Sequence, residues 1–577
     1  MIARIVGNDY RTLAPAELGA WTPSLRVSVV VPAYGGQDKL DLALAGLAAQ
    51  TYPAELTEVV VVDNGSDPPL RLPDLRPEGT RLVVCPTPGR AHARNAGLRA
   101  ATGDVIHWLD SDVVLDRRSV EAHMRWHHAA PYLVVTGYLR FTSAPLPTPE
   151  AVVASGDLAE LFEPAEPHAW LVDLIERTGG LTDNPHRAFS LHVGGATSVN
   201  AALLAQAGPM DTDLVLGQDT EMGYRLAQAG AVFVPEPLAR AFHLGPTMRM
   251  RGKAPIDRVS HAFVADRIPA YRWLRSHPSR QWKVPYLEVV VETEGGRGQE
   301  GGGLGDQSDQ SDQRYDEVRA TVDAVFAGTV PDVAVTLPGP WDRAAAEGRA
   351  PLRNPDLDLV LIRGHYAHDA RVCLTLAAPP PGGPAAPYPA DGGGRGWGAA
   401  PYRLRLPAGW TPGEDSLARL LDLAVEEGHG LISVLLAEEP GHGIVTARLE
   451  RTAAFARAAI VLREGEELDE AVEDTFGTFW VDGETYGFRP EARALTGRRG
   501  AYRARAEAQA EVARLTKEVE RLRGQVARWR EEAGRWRKSA VELRREVGGL
   551  RKELAAARKV VQYGLLSSVK RAITRRR

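Results

Sequence analysis

Residues 105–112 read VIHWLDSD, and their reading decides the fold. A mostly apolar run makes a buried strand, which stops abruptly at Leu109-Asp110-Ser111-Asp112. Two carboxylates one residue apart, at the carboxyl end of such a strand, stand where open α/β sheets bind ligands. The pair suits a divalent metal that also holds a diphosphate. An Asp-x-Asp also makes ordinary turns and helix caps, so its neighbours must discriminate.

Outward from that stretch, residues 21–275 alternate apolar strands with amphipathic helices. Residues 26–31 (RVSVVV) read as a strand, and 39–50 as a helix with Leu40, Leu44 and Leu47 on one face. Residues 58–62 form a second strand ending in Asp63-Asn64-Gly65-Ser66, and 82–85 a third. Residues 91–101 are helical and close at Thr102-Gly103. This repetition predicts right-handed crossovers and a mainly parallel α/β sheet.

A second α/β region follows. Residues 286–292 are a strand, 318–326 a helix and 332–337 a strand, echoing residues 26–62. The helix 416–427 and strand 431–436 echo 91–109, which sets Leu435-Leu436-Ala437-Glu438 against Leu-Asp-Ser-Asp. A degenerate second copy of the first fold explains the echo, and so does generic α/β alternation. The polar stretch 293–313 and the Pro/Gly-rich run 379–398 read as flexible insertions. The expected boundaries are an N-terminal extension 1–20, a first domain 21–278, a second 279–495, a coiled coil 496–560 and a basic tail 561–577.

The coil rests on strict heptads. Val512, Val519, Val526, Ala533, Ala540, Val547 and Leu554 fall at one core position. Leu515, Leu522, Trp529, Trp536, Leu543 and Leu550 fall at the other. β-Branched residues facing Leu favour a parallel two-stranded coil, hence a parallel homodimer; a solitary amphipathic helix is the alternative. In the tail, Val561, Leu565, Val569 and Ile573 make an apolar stripe among Lys559, Lys570, Arg571 and residues 575–577. Such a tail either touches an anionic membrane face or stays solvated.

The bulk numbers exclude several classes. At 577 residues the chain exceeds one core. A net charge of -5 argues against a nucleic-acid partner. Cys85 and Cys373 alone give neither a disulfide framework nor a cysteine zinc site. The first residues have no apolar run of signal-peptide length, and no run approaches 18 apolar residues, so a cytoplasmic protein is expected.

Taken together, the first domain's strand ends resemble the inverting family-2 glycosyltransferases of the A-type fold, over roughly residues 25–250. The resemblance implies that Pro32, Ala33 and Tyr34 line the nucleoside pocket and that Asp63 contacts a uracil-type base; an Asx-turn with Asn64-Gly65 is the plain reading of Asp63. In Gly89-Arg90-Ala91-His92-Ala93-Arg94-Asn95-Ala96-Gly97, Arg94 and Asn95 match the family's Ala-Arg-Asn-x-Gly core beside the pyrophosphate. Asp110 would approach ribose and metal, with Ser111 beside it, and Asp112 would ligate Mg²⁺ or Mn²⁺ directly.

Gly194-Gly195-Ala196-Thr197-Ser198-Val199-Asn200 resembles the small-residue segment of the sugar pocket, placing Gly195 and Asn200 at the donor. Gln218-Asp219 stands where most relatives have Glu-Asp, which makes Asp219 the implied general base and leaves Gln218 without the second carboxylate. A helix N-cap is the plain reading of Asp219. His243 matches the family's remaining metal ligand. Arg249, Arg251 and Lys253 follow as a basic segment near the diphosphate.

The resemblance thus implies a UDP-sugar donor, a glycan or glycoconjugate hydroxyl acceptor, and single displacement with inversion. A glycosidase would place its carboxylates around a sugar instead. A sugar nucleotidyltransferase needs a Gly-rich phosphate loop that residues 32–37 lack. The rival from another class is a non-catalytic nucleotide-binding scaffold of a polysaccharide-synthesis complex.

Overall fold

The computed structural model describes residues 2–183, 185–275, 277, 280–292, 314–344, 352, 354–380, 400–439, 443–491 and most of 514–559. Residues 1–491 form one compact unit and residues 492–577 another.

Valine runs nucleate the first sheet. β1 (Val27–Ala33), β2 (Thr57–Asp63) and β4 (Val105–Leu109) are buried along nearly their whole length, as expected of strands covered on both faces. With β3 (Thr80–Val84) they pair in parallel in the order β3-β2-β1-β4. The sheet continues through β8 (Ala196–Asn200), β6 (Leu133–Thr142), β9 (Val232–Leu244) and the edge strand β5 (Val113–Leu115), with β7 (Ala165–Pro167) on β6. β8 runs antiparallel to β4 and β6, while β6 and β9 are parallel.

The second sheet repeats this plan. Its order is β12 (Val372–Thr375), β11 (Val333–Pro338), β10 (Leu287–Glu292), β13 (Tyr402–Pro407), β16 (Gly443–Arg451), β15 (Leu431–Glu439), β17 (Thr478–Asp482). The first four strands are parallel, β16 is antiparallel to both neighbours, and β15 and β17 are parallel. Apart from β5 and β7, which have no counterpart among the described strands, strand order, direction and order along the chain match the first sheet, so the second region repeats its topology. A short pair, β14 (Trp410–Thr411) with β18 (Arg489–Pro490), follows β13.

The registers correct one expectation. Residues 431–436 lie on β15, the counterpart of β6 and not of β4. The counterpart of β4 is β13: the amide of Thr452 bonds Pro401 O as that of Ala201 bonds Asp104 O, and each bond opens the helix after the antiparallel neighbour. Counting from there, Pro407-Ala408-Gly409 stands where the first copy has Asp110-Ser111-Asp112. Leu435-Leu436-Ala437-Glu438 is a false match, produced because short apolar runs of similar length look alike.

The two sheets dock through buried polar contacts. The helix Thr452–Val461 packs against the helix Gln218–Gln228. The buried Arg457 donates to Gly230 O and Ala231 O at 2.8 Å and also to Ile5 O and Gly7 O. Asp332 accepts from Arg272 and Arg275 at 2.5 and 3.0 Å. The first residues belong to this seam: Ile5 is buried, Asn8 exchanges hydrogen bonds with Phe233, and Arg4 pairs with Glu466 and Asp474.

In the second unit the described residues of 514–559 are helical, and Leu515, Val519, Leu522, Val526, Trp529, Trp536, Leu543, Val547, Leu550 and Leu554 are exposed along it. The insertion 293–313, most of 379–398 and the tail 561–577 lie outside the described residues.

Candidate active site

The site is an edge. Because β1, β2, β3 and β4 are parallel, their carboxyl ends open on the same side of the sheet, and the loops there tie to one another. The amide of Asn64 bonds Ala33 O at 2.9 Å, the amide of Gly35 bonds Ser66 Oγ at 2.9 Å, and that of Gly89 bonds Asn64 Oδ1 at 3.2 Å. Pro32 and Ala33 close β1, and Tyr34 projects at 74% exposure. Asp63 is buried and spends both carboxylate oxygens on its own loop, accepting from Ser66 N at 2.8 Å and Leu70 N at 3.1 Å. The turn reading therefore describes what Asp63 does here. These bonds hold its carboxyl below the usual range against the opposing effect of burial.

Arg94 is the pivot. It lies in the helix Arg90–Ala100 and is buried. Its guanidinium forks, with one Nη on Asp110 Oδ1 at 2.9 Å and the other on Asp219 Oδ1 at 2.5 Å. Burial is the largest single influence on its pKa and lowers it, but the two carboxylates together outweigh it and raise the value. The resemblance pointed Arg94 at a pyrophosphate; the structure turns it to the two site carboxylates. Asp219 Oδ2 carries no hydrogen bond among the described residues, and the Asp219 side chain is 35% exposed.

Asp219 is the second residue of its helix, whose N-cap is Gly217 with φ at +93°. The N-cap reading is thereby corrected: the position that caps needs a left-handed backbone, and glycine supplies it. Gln218 points inward and donates to Leu214 O and Val215 O at 2.6 and 3.1 Å. An ionised glutamate has no such donor, so the departure from Glu-Asp is accounted for by a local turn.

Gly194 and Gly195 enter β8 against this cluster. A Cβ on Gly194 would stand 2.1 Å from Arg94 Nη2 and 2.5 Å from Asp219 Oδ1, and one on Gly195 would stand 3.1 Å from Asp110 Oδ2. A side chain at Gly194 would have to displace the Arg94–Asp219 fork. Asn200 does not join them. β8 is antiparallel to β4, so Ala196 faces Leu109 while Asn200 faces Val105 at the opposite end, roughly 13 Å away at strand rise. Its side chain caps the helix Ala201–Ala207 through Ala202 N at 3.0 Å. Asn95 is likewise structural: it is buried and exchanges two 2.9 Å bonds with the backbone of Met210.

On the other flank, Ser111 sits in the turn between β4 and β5, and the amide of Leu244 bonds Asp112 O at 2.8 Å. This sets His243 Nε2 3.5 Å from Asp112 Oδ1. His243 Nδ1 lies 2.8 Å from Gly245 O, a carbonyl that can only accept, so Nδ1–H donates to it and Nε2 is turned to the carboxylate. No cluster of three or more ligating side chains gathers among the described residues. The Asp112–His243 pair fits a divalent cation that takes its other ligands from phosphate oxygens.

Three nearby residues escaped the sequence reading. Lys39 Nζ lies 3.7 Å from Asp112 Oδ2 and bonds Leu244 O. It sits in the first turn of the helix Gln37–Ala48, where a cation opposes the helix dipole, and that misplacement was its signal. Gly194, within the small-residue segment, packs directly on the Arg94–Asp219 pair. His192 is buried, with Nδ1 2.8 Å from Asp219 O and Nε2 unpartnered; burial depresses it to about 4. Arg249 pairs with Asp257 at 2.9 Å.

Residues 28–152 match the model of the family described as Glycosyl transferase family 2. It is 33% identical over 117 residues to the uncharacterized glycosyltransferase YfnE of Bacillus subtilis, covering 20% of this chain and 30% of that protein. It is 29% identical over 233 residues to the pre-mycofactocin glycosyltransferase of Mycobacterium tuberculosis, covering 38% and 43% respectively. The chain thus spans less than half the length of either relative. Among solved structures it is similar to the mannosyltransferase PcManGT from Pyrobaculum calidifontis in complex with GDP-Man and Mn2+, with a TM-score of 0.30 and 20% identity over 45% of this chain and 70% of that one.

Proposed function

We propose that this protein transfers a glycosyl group from a nucleoside-diphosphate sugar, a UDP-sugar first, to a hydroxyl of a glycan or glycoconjugate, inverting the anomeric centre in a single displacement. The observation that carries the reading is the fork of Arg94 between Asp110 and Asp219 at the carboxyl edge of a family 2 domain. It fixes two carboxylates at one rim and leaves Asp219 Oδ2 free to take the acceptor proton, a role worth about 10²–10⁴-fold in rate. Lys39 offers positive charge beside Asp112 for a diphosphate. Asp112 and His243 would hold Mn²⁺ or Mg²⁺, which when bound neutralises charge on a leaving diphosphate. Pro32, Ala33 and Tyr34 form the open wall against which a nucleoside fits. The inward turn of Gln218 removes one motive for the scaffold reading.

The helix 514–559 is proposed to pair with a second copy in parallel through its exposed seam, and the protein to work in the cytoplasm with its tail at the inner membrane face. Among the described residues no helix is long and apolar enough to cross a membrane.

A thermal-shift screen of nucleotide sugars with and without Mn²⁺ tests the reading. A donor at about 100 times its dissociation constant should stabilise by about 2.7 kcal/mol. At least one nucleotide sugar should raise Tm more with Mn²⁺ than without, and be hydrolysed slowly without acceptor. A protein that no nucleotide sugar stabilises, with or without metal, is not this enzyme.

A further inference from the structure

The second domain holds a cavity of about 630 Å³ whose lining includes Ser433, Thr446, Arg448, Asp469, Glu473 and Trp480. Its origin lies in what the second copy lacks. In the first sheet Thr136 pairs with Thr197, and in the second Ser433 pairs with Arg448; these positions correspond in register. Thr136 is roofed: its hydroxyl bonds Leu191 O at 3.0 Å, from the helical turn Pro185–Leu191 that lies between β6 and β8. In the second copy residues 440–442 alone join β15 to β16, too few to form such a roof. Ser433 is 5% exposed, lines the cavity, and makes no side-chain hydrogen bond among the described residues. Its hydroxyl therefore faces the open floor of the cavity, where a polar group of a ligand can reach it.

The lining identifies the cover. Trp480 neighbours Ser433 on β17 and presents its indole at 55% exposure. Of the four carboxylates that line the cavity, Asp469 takes both 2.8 Å bonds of Arg448 and Asp474 pairs with Arg4, while Glu470 and Glu473 accept from the amides of Glu467 at 3.4 Å and Thr478 at 2.7 Å. Two of the four are thus already matched by arginines, and all four offer oriented acceptor oxygens. What remains is an aromatic face, hydroxyls that donate and accept, fixed carboxylate oxygens and one guanidinium. That mixture matches a sugar ring, with an apolar C–H face to lie on the indole and hydroxyls to meet both donors and acceptors.

We propose that this cavity binds a glycan chain, holding the acceptor substrate away from the transfer site; this rests on the transferase reading above. The geometry suits the task, since the helix Leu468–Phe476 that carries Asp469 packs on Thr452–Val461, which packs on the Asp219 helix.

The test is saturation-transfer NMR on the full chain with maltopentaose, mannopentaose, chitopentaose and a β-galactopentaose as probes. At least one should receive saturation, and Trp480→Ala should weaken its binding by about tenfold. Phe479→Ala, on the opposite face of the same strand and also exposed, should leave binding unchanged, as should Asp219→Asn. Nucleotide-sugar affinity is measured on the same preparations. If no nucleotide sugar binds but Trp480-dependent glycan binding persists, the transferase reading falls and this site stands. If nucleotide sugars bind yet no oligosaccharide does, or binding ignores Trp480→Ala, or a tetralysine peptide gives the Trp480-dependent signal instead, the glycan site is wrong and the transferase reading is untouched.

Discussion

At the ends of equivalent strands the first domain presents Asp110-Ser111-Asp112 and the second Pro407-Ala408-Gly409, and around these tripeptides two sheets of the same topology have taken different courses. The first copy gathers Arg94, Asp219, Asp112 and His243 at that edge and seals β6 and β8 under the turn Pro185–Leu191. The second has neither the carboxylate pair nor the roof. It buries ion pairs inside its sheet instead, Arg403 with Glu288 at 2.9 Å and Arg405 with Glu450 at 2.8 Å, where the first copy has Ile106 and Trp108 on β4. Alternating buried positions and crossover geometry are enough to preserve a fold, whereas a site needs particular atoms and disappears with a few substitutions. The second sheet keeps its asymmetry where it meets the first, through Arg457 and Asp332.

The sharpest way to break this contrast is a matched pair of substitutions. Asp219 and Asp469 are both the second residue of corresponding helices, and each accepts from an arginine. Asp219→Asn should cut glycosyl transfer by about 10²-fold or more by removing the base, with donor affinity near parental and Tm lowered, because the buried Arg94 loses one of its two charged partners. Asp469→Asn should leave nucleotide-sugar hydrolysis unchanged. Steady-state hydrolysis of the donor in both variants decides, and equal losses would end the division of labour between the copies.

Next in size is the seam between them. Arg457→Met removes donors from the carbonyls of Gly230, Ala231, Ile5 and Gly7 while keeping much of the volume. Leaving these buried acceptors unmet should cost about 3 kcal/mol. Urea unfolding should show a lower midpoint, and a parental midpoint would mean the sheets fold without reference to each other.

Acid should separate the copies too. His107, His123 and His127 are buried around Ser198 in the first domain, with Ser198 Oγ 2.8 Å from His123 Nδ1 and 2.7 Å from His127 Nε2. Burial depresses His107 to about 4 and His127 to about 3, and places His123 well below the ordinary value. Folding keeps these rings neutral, so their contribution is full above the unfolded value near 6.5 and is lost as pH falls through the folded ones. For His107 alone the loss by pH 5 should be about 2 kcal/mol. In the second domain the described histidines His365, His368 and His429 are not buried. Urea midpoints between pH 7.5 and 5 should fall, and His107→Leu should flatten the fall. A slope unchanged by that substitution would place the acid sensitivity elsewhere.

The smallest effect concerns one methyl group. Gly194→Ala should displace the Arg94–Asp219 fork and lower kcat by about tenfold or more, since small misplacements at a reacting centre are expensive. The corresponding position in the second sheet is Val445, where a side chain is tolerated. Parental kcat in Gly194→Ala would show that the fork has room to shift.

Much of this was legible in sequence because strand ends are local. Val30, Val60 and Trp108 are buried where alternation and apolar runs put them, and the strand-end motifs fall on a common edge once the strands are known to be parallel. The family resemblance brought Asp110, Asp112, Asp219 and His243 forward on the same basis. It misplaced Asn200 because a motif written as one string hides the direction of its strand: β8 is antiparallel, and five residues carry the chain across the sheet. Asn95 and Asp63 are engaged by backbone groups, the turn role that Asp63 also offered in sequence, because a polar side chain near a site is readily claimed by backbone groups left unpaired in loops.

What the sequence determined by itself was the alternation of elements and the heptad seam, since each follows from hydrophobic period along a single segment; it left a second copy and generic α/β alternation side by side, and strand order and direction decided between them. The partners were decided only in three dimensions. Arg94 meets Asp219 across 125 positions of chain, and no local pattern encodes a contact made by two helices packed on one sheet. The alignment of the copies was settled the same way, because register follows from which strands exchange hydrogen bonds and not from which runs look alike. The cavity beside Trp480 exists for a reason no segment states, namely that the loop which covers its counterpart is missing from the second fold.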